Sequence, residues 1–289
     1  MTDAVPQPPR LGGTRTRRQA YERRQRRRAT AIAASSTIVV VGLVVLLLPR
    51  TSGWQRVRET FFSWPHFRDA VGPIASEFWF DIQIFLVCAP TILIVGLLIA
   101  SARNARAPAL FPIRLFAIVY TDIVRGVPVI LWITMLGFGV PGLLQTREWY
   151  GRAVIWAGAA LVMVYSAYVA EVFRAGIESV HESQRAAARS LGLSAGQTMR
   201  SVILPQAIRR VVPPLMNDLV SLQKDVALVS LVGPVEAMRR AGIINARTFN
   251  FTPYLVAACF FLCLSVPLTR LTDYLLTKER RRMSGTAVR

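Results

Sequence analysis

Residues 29–48 read Ala-Thr-Ala-Ile-Ala-Ala-Ser-Ser-Thr-Ile-Val-Val-Val-Gly-Leu-Val-Val-Leu-Leu-Leu. The stretch carries no charge, and at 1.5 Å per residue it makes a helix about 30 Å long, the thickness of a bilayer's hydrocarbon core. The apolar region of a cleaved signal peptide is shorter, so this one is expected to stay in place as an anchor. Comparable runs follow at 80–100, 115–144 and 153–172, then as a broken stretch at 207–232, and again at 254–268. With 53% hydrophobic and only 18% charged residues among 289, the chain is too apolar for an ordinary soluble domain. The expected fold class is all-α: a polytopic membrane helical bundle of about six transmembrane helices.

Charge placement gives the orientation. The 35 basic residues exceed the 16 acidic ones, for a formal net charge of +19. Much of the excess lies before the first run, where Arg10, Arg15, Arg17, Arg18, Arg23, Arg24, Arg26, Arg27 and Arg28 face the single acid Glu22. Such a run beside a span marks the cytoplasmic side, and its composition is that of a disordered arm. Arg-rich segments also bind nucleic acid or anionic lipid head groups, but topology is the reading preferred here. Beyond the first run, Arg50, Arg56, Arg58 and Arg68 are balanced by Glu59, Asp69, Glu77 and Asp81, which suits an external loop. Arg103 and Arg106 return the chain inside. Alternation then places 174–224 and the basic tail 278–282 in the cytoplasm, with both termini inside.

Cys88, Cys259 and Cys263 fall within the expected spans, where packing is the ordinary role of a thiol. Cys259 and Cys263 share a helix face but have no His or carboxylate neighbour to complete a metal site. His66 and His181 lie in different loops, on opposite sides by the alternation, and make no acid–base pair.

Two runs are interrupted, and irregular backbone at membrane depth survives only where it lines protein or a wet cavity. One interruption is Asp122-Ile123-Val124-Arg125-Gly126-Val127-Pro128. The other is Pro213-Pro214, followed by Asn217, Asp218, Lys224 and Asp225. Broken helices carrying charge are typical of transport pathways. Arg125 and Lys224 are equally compatible with snorkelling at the membrane surface. Asp218, among Leu215, Leu219 and Leu222, is less so.

The cytoplasmic segment has the plainest local signals. Ala186-Ala187-Ala188-Arg189-Ser190-Leu191 is rich in strong helix formers, and Gly192 supplies the left-handed residue that ends a helix. Ser194 and Gln197 form a capping box, Met199, Val202 and Ile203 an apolar stripe, and Pro205 is expected to end the second helix. The same pattern describes a DNA-binding helix-turn-helix. However, about 30 residues are too few for a third helix and an independent core.

These residues resemble the transmembrane subunits of bacterial ABC importers for polar amino acids, the EAA-loop permeases of the MetI-like fold family. The family loop reads Glu-Ala-Ala, three residues, Gly, nine residues, then Ile-x-Leu-Pro. Ala187 and Ala188 match the alanines, Gly192 the glycine, Val202 stands for the isoleucine, and Leu204-Pro205 closes the motif. Ala186 replaces the glutamate. Arg125-Gly126-Val127-Pro128 is similar to the family's Arg-Gly-Thr-Pro. Tyr168-Val169-Ala170-Glu171-Val172-Phe173-Arg174 is similar to its Tyr-x-Ala-Glu-x-Phe-Arg lead, and Lys224-Asp225 to its Lys-Asp-Thr-Ser, with Val226-Ala227 in place of the hydroxyl pair. The likeness runs from about 80 to 282. It divides the chain into an Arg-rich arm (1–28), a first span with an external loop (29–79), the permease domain (80–275, with its coupling loop at about 174–206) and a basic tail (276–289).

The resemblance implies a bacterial cell-membrane subunit with no catalysis of its own, working with a separate ABC ATPase dimer that binds ATP and magnesium. It further implies a second permease subunit, the same chain or a relative, and an extracytoplasmic amino-acid-binding protein, with no nucleic acid partner. Coupling to the ATPase would rest on Ala186, Ala187, Ala188, Gly192, Leu193, Ser194, Leu204 and Pro205. No Gly-rich phosphate loop ending in Lys-Ser/Thr occurs, so the chain is not expected to hydrolyse ATP alone or to carry a cofactor. The substrate path is assigned to Asp122, Arg125, Tyr165, Tyr168, Glu171, Asn217 and Asp218, because a zwitterion crossing apolar surroundings needs charge and dipole partners. Two other classes stand beside this reading: an ion-driven secondary amino acid transporter and a membrane-tethered helix-turn-helix regulator. Neighbouring genes for a Walker-motif ATPase and a secreted binding protein would separate them.

Overall fold

The computed structural model describes residues 12–105 and 107–286. Arg10, Arg106 and the last three residues lie outside the described residues, as do most side chains of the arm and those of the basic tail. Contacts divide the chain into two units, 1–59 and 60–289.

In the first unit a single helix, α1 (Gly12–Leu47), runs from the arm through the apolar stretch. The arm, expected to be disordered, is thus helical from Gly12 onward. The segment has no Pro, and Arg, Gln, Glu and Ala hold a helix well once a long apolar helix continues it. Ser36 and Thr37 return their hydroxyls to the Ala33 carbonyl at 2.9 and 2.8 Å, which keeps them satisfied in an apolar setting. The helix α2 (Trp54–Phe61) follows.

The second unit centres on α6 (Ala153–Glu178). Its small residues Ala157, Ala160, Ala167 and Ala170 are buried and let neighbouring backbones come close. Against it pack α3 (Trp64–Arg103), α4 (Phe111–Gly126), α5 (Val129–Leu144) and α9 (Leu204–Asp225). Gly96 of α3 marks the closest approach: a Cβ there would meet Val169 Cγ1 at 2.5 Å and the Ser166 carbonyl at 3.2 Å. Ile92, Ile133, Leu161, Leu222, Val226 and Val229 fill this core. A smaller cluster joins α3 to α10 (Ala237–Thr248) and α11 (Thr252–Thr286) through Ile74, Phe78, Ala237 and Val256.

Among the described residues, four helices are long and apolar enough to cross a bilayer. The run expected at 115–144 is the pair α4 and α5, bent by 103° at the Gly126–Pro128 break. Pro128 cannot donate and disfavours helical backbone at Val127, which sits extended at φ −110°, ψ 133°. The fifth expected span, 207–232, is α9 followed by the 3₁₀ turns of Val226–Val232. Arg209, Arg210, Asp218, Lys224 and Asp225 make it too polar to qualify on composition. The break expected at Pro213-Pro214 does not occur. α9 runs through both prolines, and the irregular backbone comes after Asp225 and ends at Gly233, where φ is +127°.

Charged groups fasten α10 to the N-terminal half of α3. Glu236 caps α10 by accepting the Met238 and Arg239 N–H groups at 2.7 Å each, and Asp81 accepts the Ala237 N–H at 3.3 Å. Burial pushes the Glu236 carboxyl above its ordinary range, and the two backbone donors pull it partly back. Glu77 pairs with Arg240 in the same place.

Candidate functional site

The intramembrane polar groups gather around Glu171 on α6. Its carboxylate accepts from Arg103 at 3.1 Å and from Arg174, and lies 3.5 Å from Arg125. Each partner comes from a different place: Arg103 from the end of α3, Arg125 from the last turn of α4, Arg174 from one turn further along α6. Arg103 also donates to Thr121 at 2.8 Å, and Arg174 reaches Glu178 as well. One carboxylate therefore holds three helices together at the α4–α5 bend.

One turn along α6 stand two tyrosines. The Arg125 guanidinium lies 5.9 Å over the Tyr168 ring, within cation–π range, and Tyr168 meets Tyr165 edge-on at 5.9 Å. Tyr165, 5% exposed, donates its hydroxyl to Asp225 at 2.7 Å. Asp218 on α9 stands in electrostatic range of Arg125 and Tyr165, and one of its buried carboxylate oxygens has no hydrogen-bond partner.

Five of the seven expected path residues are therefore neighbours: Arg125, Tyr165, Tyr168, Glu171 and Asp218. Asp122 and Asn217 are exposed and stand apart from these contacts. Arg103, Thr121 and Asp225 belong to the cluster but are absent from the sequence-based set. Arg103 was read only as a loop charge, because α3 extends further than its apolar run. Asp225 was read as part of a motif rather than as the partner of a tyrosine.

The elbow expected at about 174–206 forms as its signals require. Helix α7 (Glu182–Ser190) ends in a turn whose Gly192 has φ +83°, and Ser194 and Gln197 make the capping box of α8 (Ala195–Thr198). His181 caps α7 by accepting the Ser183 N–H. Pro205 does not end the second helix. A π turn, Met199–Ile203, carries the chain from α8 into α9, and Pro205 sits in the first turn of α9, where a missing N–H costs nothing. Ala188 is buried, whereas Ala186 and Ala187 are exposed. Leu191 is 83% exposed at the tip of the elbow, an apolar contact that motif reading passed over.

The family described as "binding-protein-dependent transport system inner membrane component" matches residues 92–281. A putative glutamine transport system permease protein of Rickettsia felis is 38% identical over 174 residues, covering 60% of this chain and 77% of that relative. The arginine transport system permease protein ArtQ of Bacillus subtilis is 33% identical over 190 residues, covering 65% and 84%. Among solved structures, a chain of an amino acid ABC transporter crystallised with histidines superposes with a TM-score of 0.65 at 30% identity, covering 76% of this chain and 98% of that one. A chain of the inward-facing MetNI methionine transporter shares the fold, with a TM-score of 0.56 at 17% identity over 71% and 95%.

Proposed function

Because the chain belongs to the family of binding-protein-dependent transport system inner membrane components, we propose that it is the membrane-spanning permease subunit of an ATP-driven importer for polar amino acids. Its chemistry is that of a gated path. ATP and magnesium bind to a separate ABC ATPase dimer, an external binding protein delivers the substrate, and a second permease subunit completes the path. The chain sits in the bacterial cell membrane with both termini in the cytoplasm.

The observation that carries this reading is a partly exposed cation at the end of α4 in electrostatic range of an incompletely bonded carboxylate on α9. Arg125 has a long contact to Glu171 and a ring contact with Tyr168, and its guanidinium keeps donors to meet a carboxylate. Asp218 has a buried oxygen without a donor and is suited to an α-ammonium group. Tyr165 and Tyr168 lie between them as a polar-edged apolar wall. An α-amino acid presents that charge pattern. The glutamine and arginine permeases among the relatives support the polar class.

The elbow supplies the coupling. Two helices joined by a left-handed glycine and a capping box form a stiff corner, able to pass on a rigid-body rotation. Exposed Ala186, Ala187 and Leu191 present a small apolar face to an ATPase groove. ATP binding would then shift the helices between inward-open and outward-open packings.

The test is uptake of a panel of labelled amino acids by the complex reconstituted with its ATPase and binding protein. Arg125→Ala and Asp218→Asn are each expected to cut uptake at least tenfold, with ATP hydrolysis retained. Asn217→Ala, which stands apart from the cluster, is expected to have a small effect. Unchanged rates and substrate preference in all three variants would remove the path assignment, and ion-driven uptake without ATP would remove the importer reading itself.

A further inference from the structure

The family match begins at residue 92, so α1 lies outside it and the proposed function leaves its arm unused. The arm and the first apolar run form one helix, Gly12–Leu47. Neither a proline nor a glycine separates them, since none occurs between Thr14 and Val41. The arm therefore continues the axis of the span and rises from the bilayer.

A helix that lies flat in the interface needs an apolar face to sink into it. From Arg15 to Arg28, Ala20 is the one residue without a charged or polar group, so the arm has no such face. Its cations are also unevenly spread along the axis. Arg23, Arg24, Arg26, Arg27 and Arg28 fill five of the six positions nearest the apolar run, whereas the seven positions from Thr14 to Ala20 hold only Arg15, Arg17 and Arg18. Arg24 and Arg28 are exposed.

Depth along the axis decides what each group can meet. At about 1.5 Å per residue, the inner five lie within about 9 Å of Ala29, against a head-group layer roughly 5–8 Å deep on each face of the bilayer. Arg15, Arg17 and Arg18 stand about 17–21 Å out, roughly a Debye length or more beyond the head groups, where a charge on the surface is screened. The cation density is thus greatest at phosphate depth. A nucleic acid approaching from solvent would be served by the reverse gradient. Clustered arginines beside a span attract anionic lipid, and a guanidinium grips a phosphate through paired N–H donors.

We infer that Arg23, Arg24, Arg26, Arg27 and Arg28 bind anionic phospholipid head groups around the base of α1, and that Arg15, Arg17 and Arg18 take no part. A charge bias that orients a span acts during insertion; this surface persists in the folded protein. The inference is independent of the permease reading.

Native mass spectrometry of the full-length chain, titrated with phosphatidylglycerol or phosphatidylcholine, tests it without needing transport. Phosphatidylglycerol is expected to be retained in preference to phosphatidylcholine. Arg28→Gln should weaken that retention about fivefold, the factor that one arginine near a lipid surface contributes. Exchanging all five inner arginines for glutamine should abolish the preference, and exchanging them for lysine, which keeps the charge and hence the insertion signal, should retain most of it. Arg15→Gln, Arg17→Gln and Arg18→Gln together should leave it unchanged. Equal retention of the two lipids overturns the proposal, as does an outer triple variant that loses as much as the inner glutamine variant. A preference that survives all five glutamines places the selectivity elsewhere in the chain and overturns it too. Binding of a single-stranded RNA oligonucleotide without any lipid preference would make the segment a nucleic-acid arm, and the lipid surface would be refuted.

Discussion

Glu171 carries one negative charge against three guanidinium groups, and its worth lies in that imbalance. Arg103 is 13% exposed and Glu171 23%, so the pair sits in a medium where a lost counter-charge is felt, unlike a solvated surface pair. Glu171→Gln keeps the shape and an acceptor oxygen but leaves Arg103 without a neutralising partner and Arg174 with Glu178 alone. A loss of about 1–3 kcal/mol of stability is expected. Glu178→Gln is the internal control, because Glu178 is 56% exposed and bonds to Arg174 alone; its effect should stay within about 0.5 kcal/mol. Thermal unfolding of the two purified variants in the same detergent decides the matter: equal shifts would mean that Glu171 is an ordinary surface partner. Tyr165→Phe probes the neighbouring contact, where removal of the hydroxyl takes away the donor to Asp225. Here a cost of about 1–3 kcal/mol is expected on the same scale.

At the scale of elements, the elbow depends on two local devices that a substitution separates. Gly192 at φ +83° occupies backbone that a β-branched residue adopts only under strain. Gly192→Val is therefore expected to reset the angle between α7 and α8 while the spans still insert. ATPase stimulation by substrate-loaded binding protein should fall, and membrane insertion should not; unchanged stimulation would refute the coupling role of the turn. Ser194→Ala removes one half of a capping box and should cost about 1 kcal/mol locally without the same loss of coupling. Both devices were legible in the sequence, because a left-handed Gly and a Ser-x-x-Gln cap act over a few residues. Pro205 was misread for the same reason in reverse. A proline marks a helix end or a first turn equally well, and only the π turn of Met199–Ile203, which has no sequence signal of its own, decides between them. The α4–α5 break at Gly126–Pro128 was legible, but the continuity of α9 through Pro213 and Pro214 was not, because tertiary packing of Val211 and Leu222 holds that helix across its lost hydrogen bonds.

At the scale of the whole molecule, composition finds four spans among the described residues, or five with the bent pair, and the packing of α9 argues for one more. α9 is too polar to qualify as a span, yet the chain from its first turn to α10 runs the length of the hydrocarbon core alongside α3. The first turns of α9 line an apolar slot beside Leu97, Ala100 and Asn104, while α10, reached shortly after α9, bonds to Glu77 and Asp81. Asp81 and Ala100 are about 30 Å apart along the helix, the depth of the hydrocarbon core. α9 and the turns after it are therefore expected to carry the chain across the membrane, with Asp218 and Asp225 turned toward the polar cluster. The start of α11 is tied to the start of α3 by the Phe251 N–H to the Thr60 carbonyl at 2.8 Å and the Ser63 N–H to the Thr252 hydroxyl at 3.0 Å. Among the described residues α1, α3, α6, α11 and the bent pair qualify as up to five spans; with α9 the proposed count is six. On the proposed topology an even count is expected to leave both termini on one side, and the excess of arginine in the arm predicts that this side is the cytoplasm. A cytoplasm-active reporter fused after Arg289 or before Met1 should therefore be functional. The same reporter inserted between Gln145 and Arg152, in the loop that joins α5 to α6, should be silent. A silent C-terminal fusion beside an active N-terminal one would mean an odd number of crossings, and α9 would then have to be re-read as a cytoplasmic or surface helix.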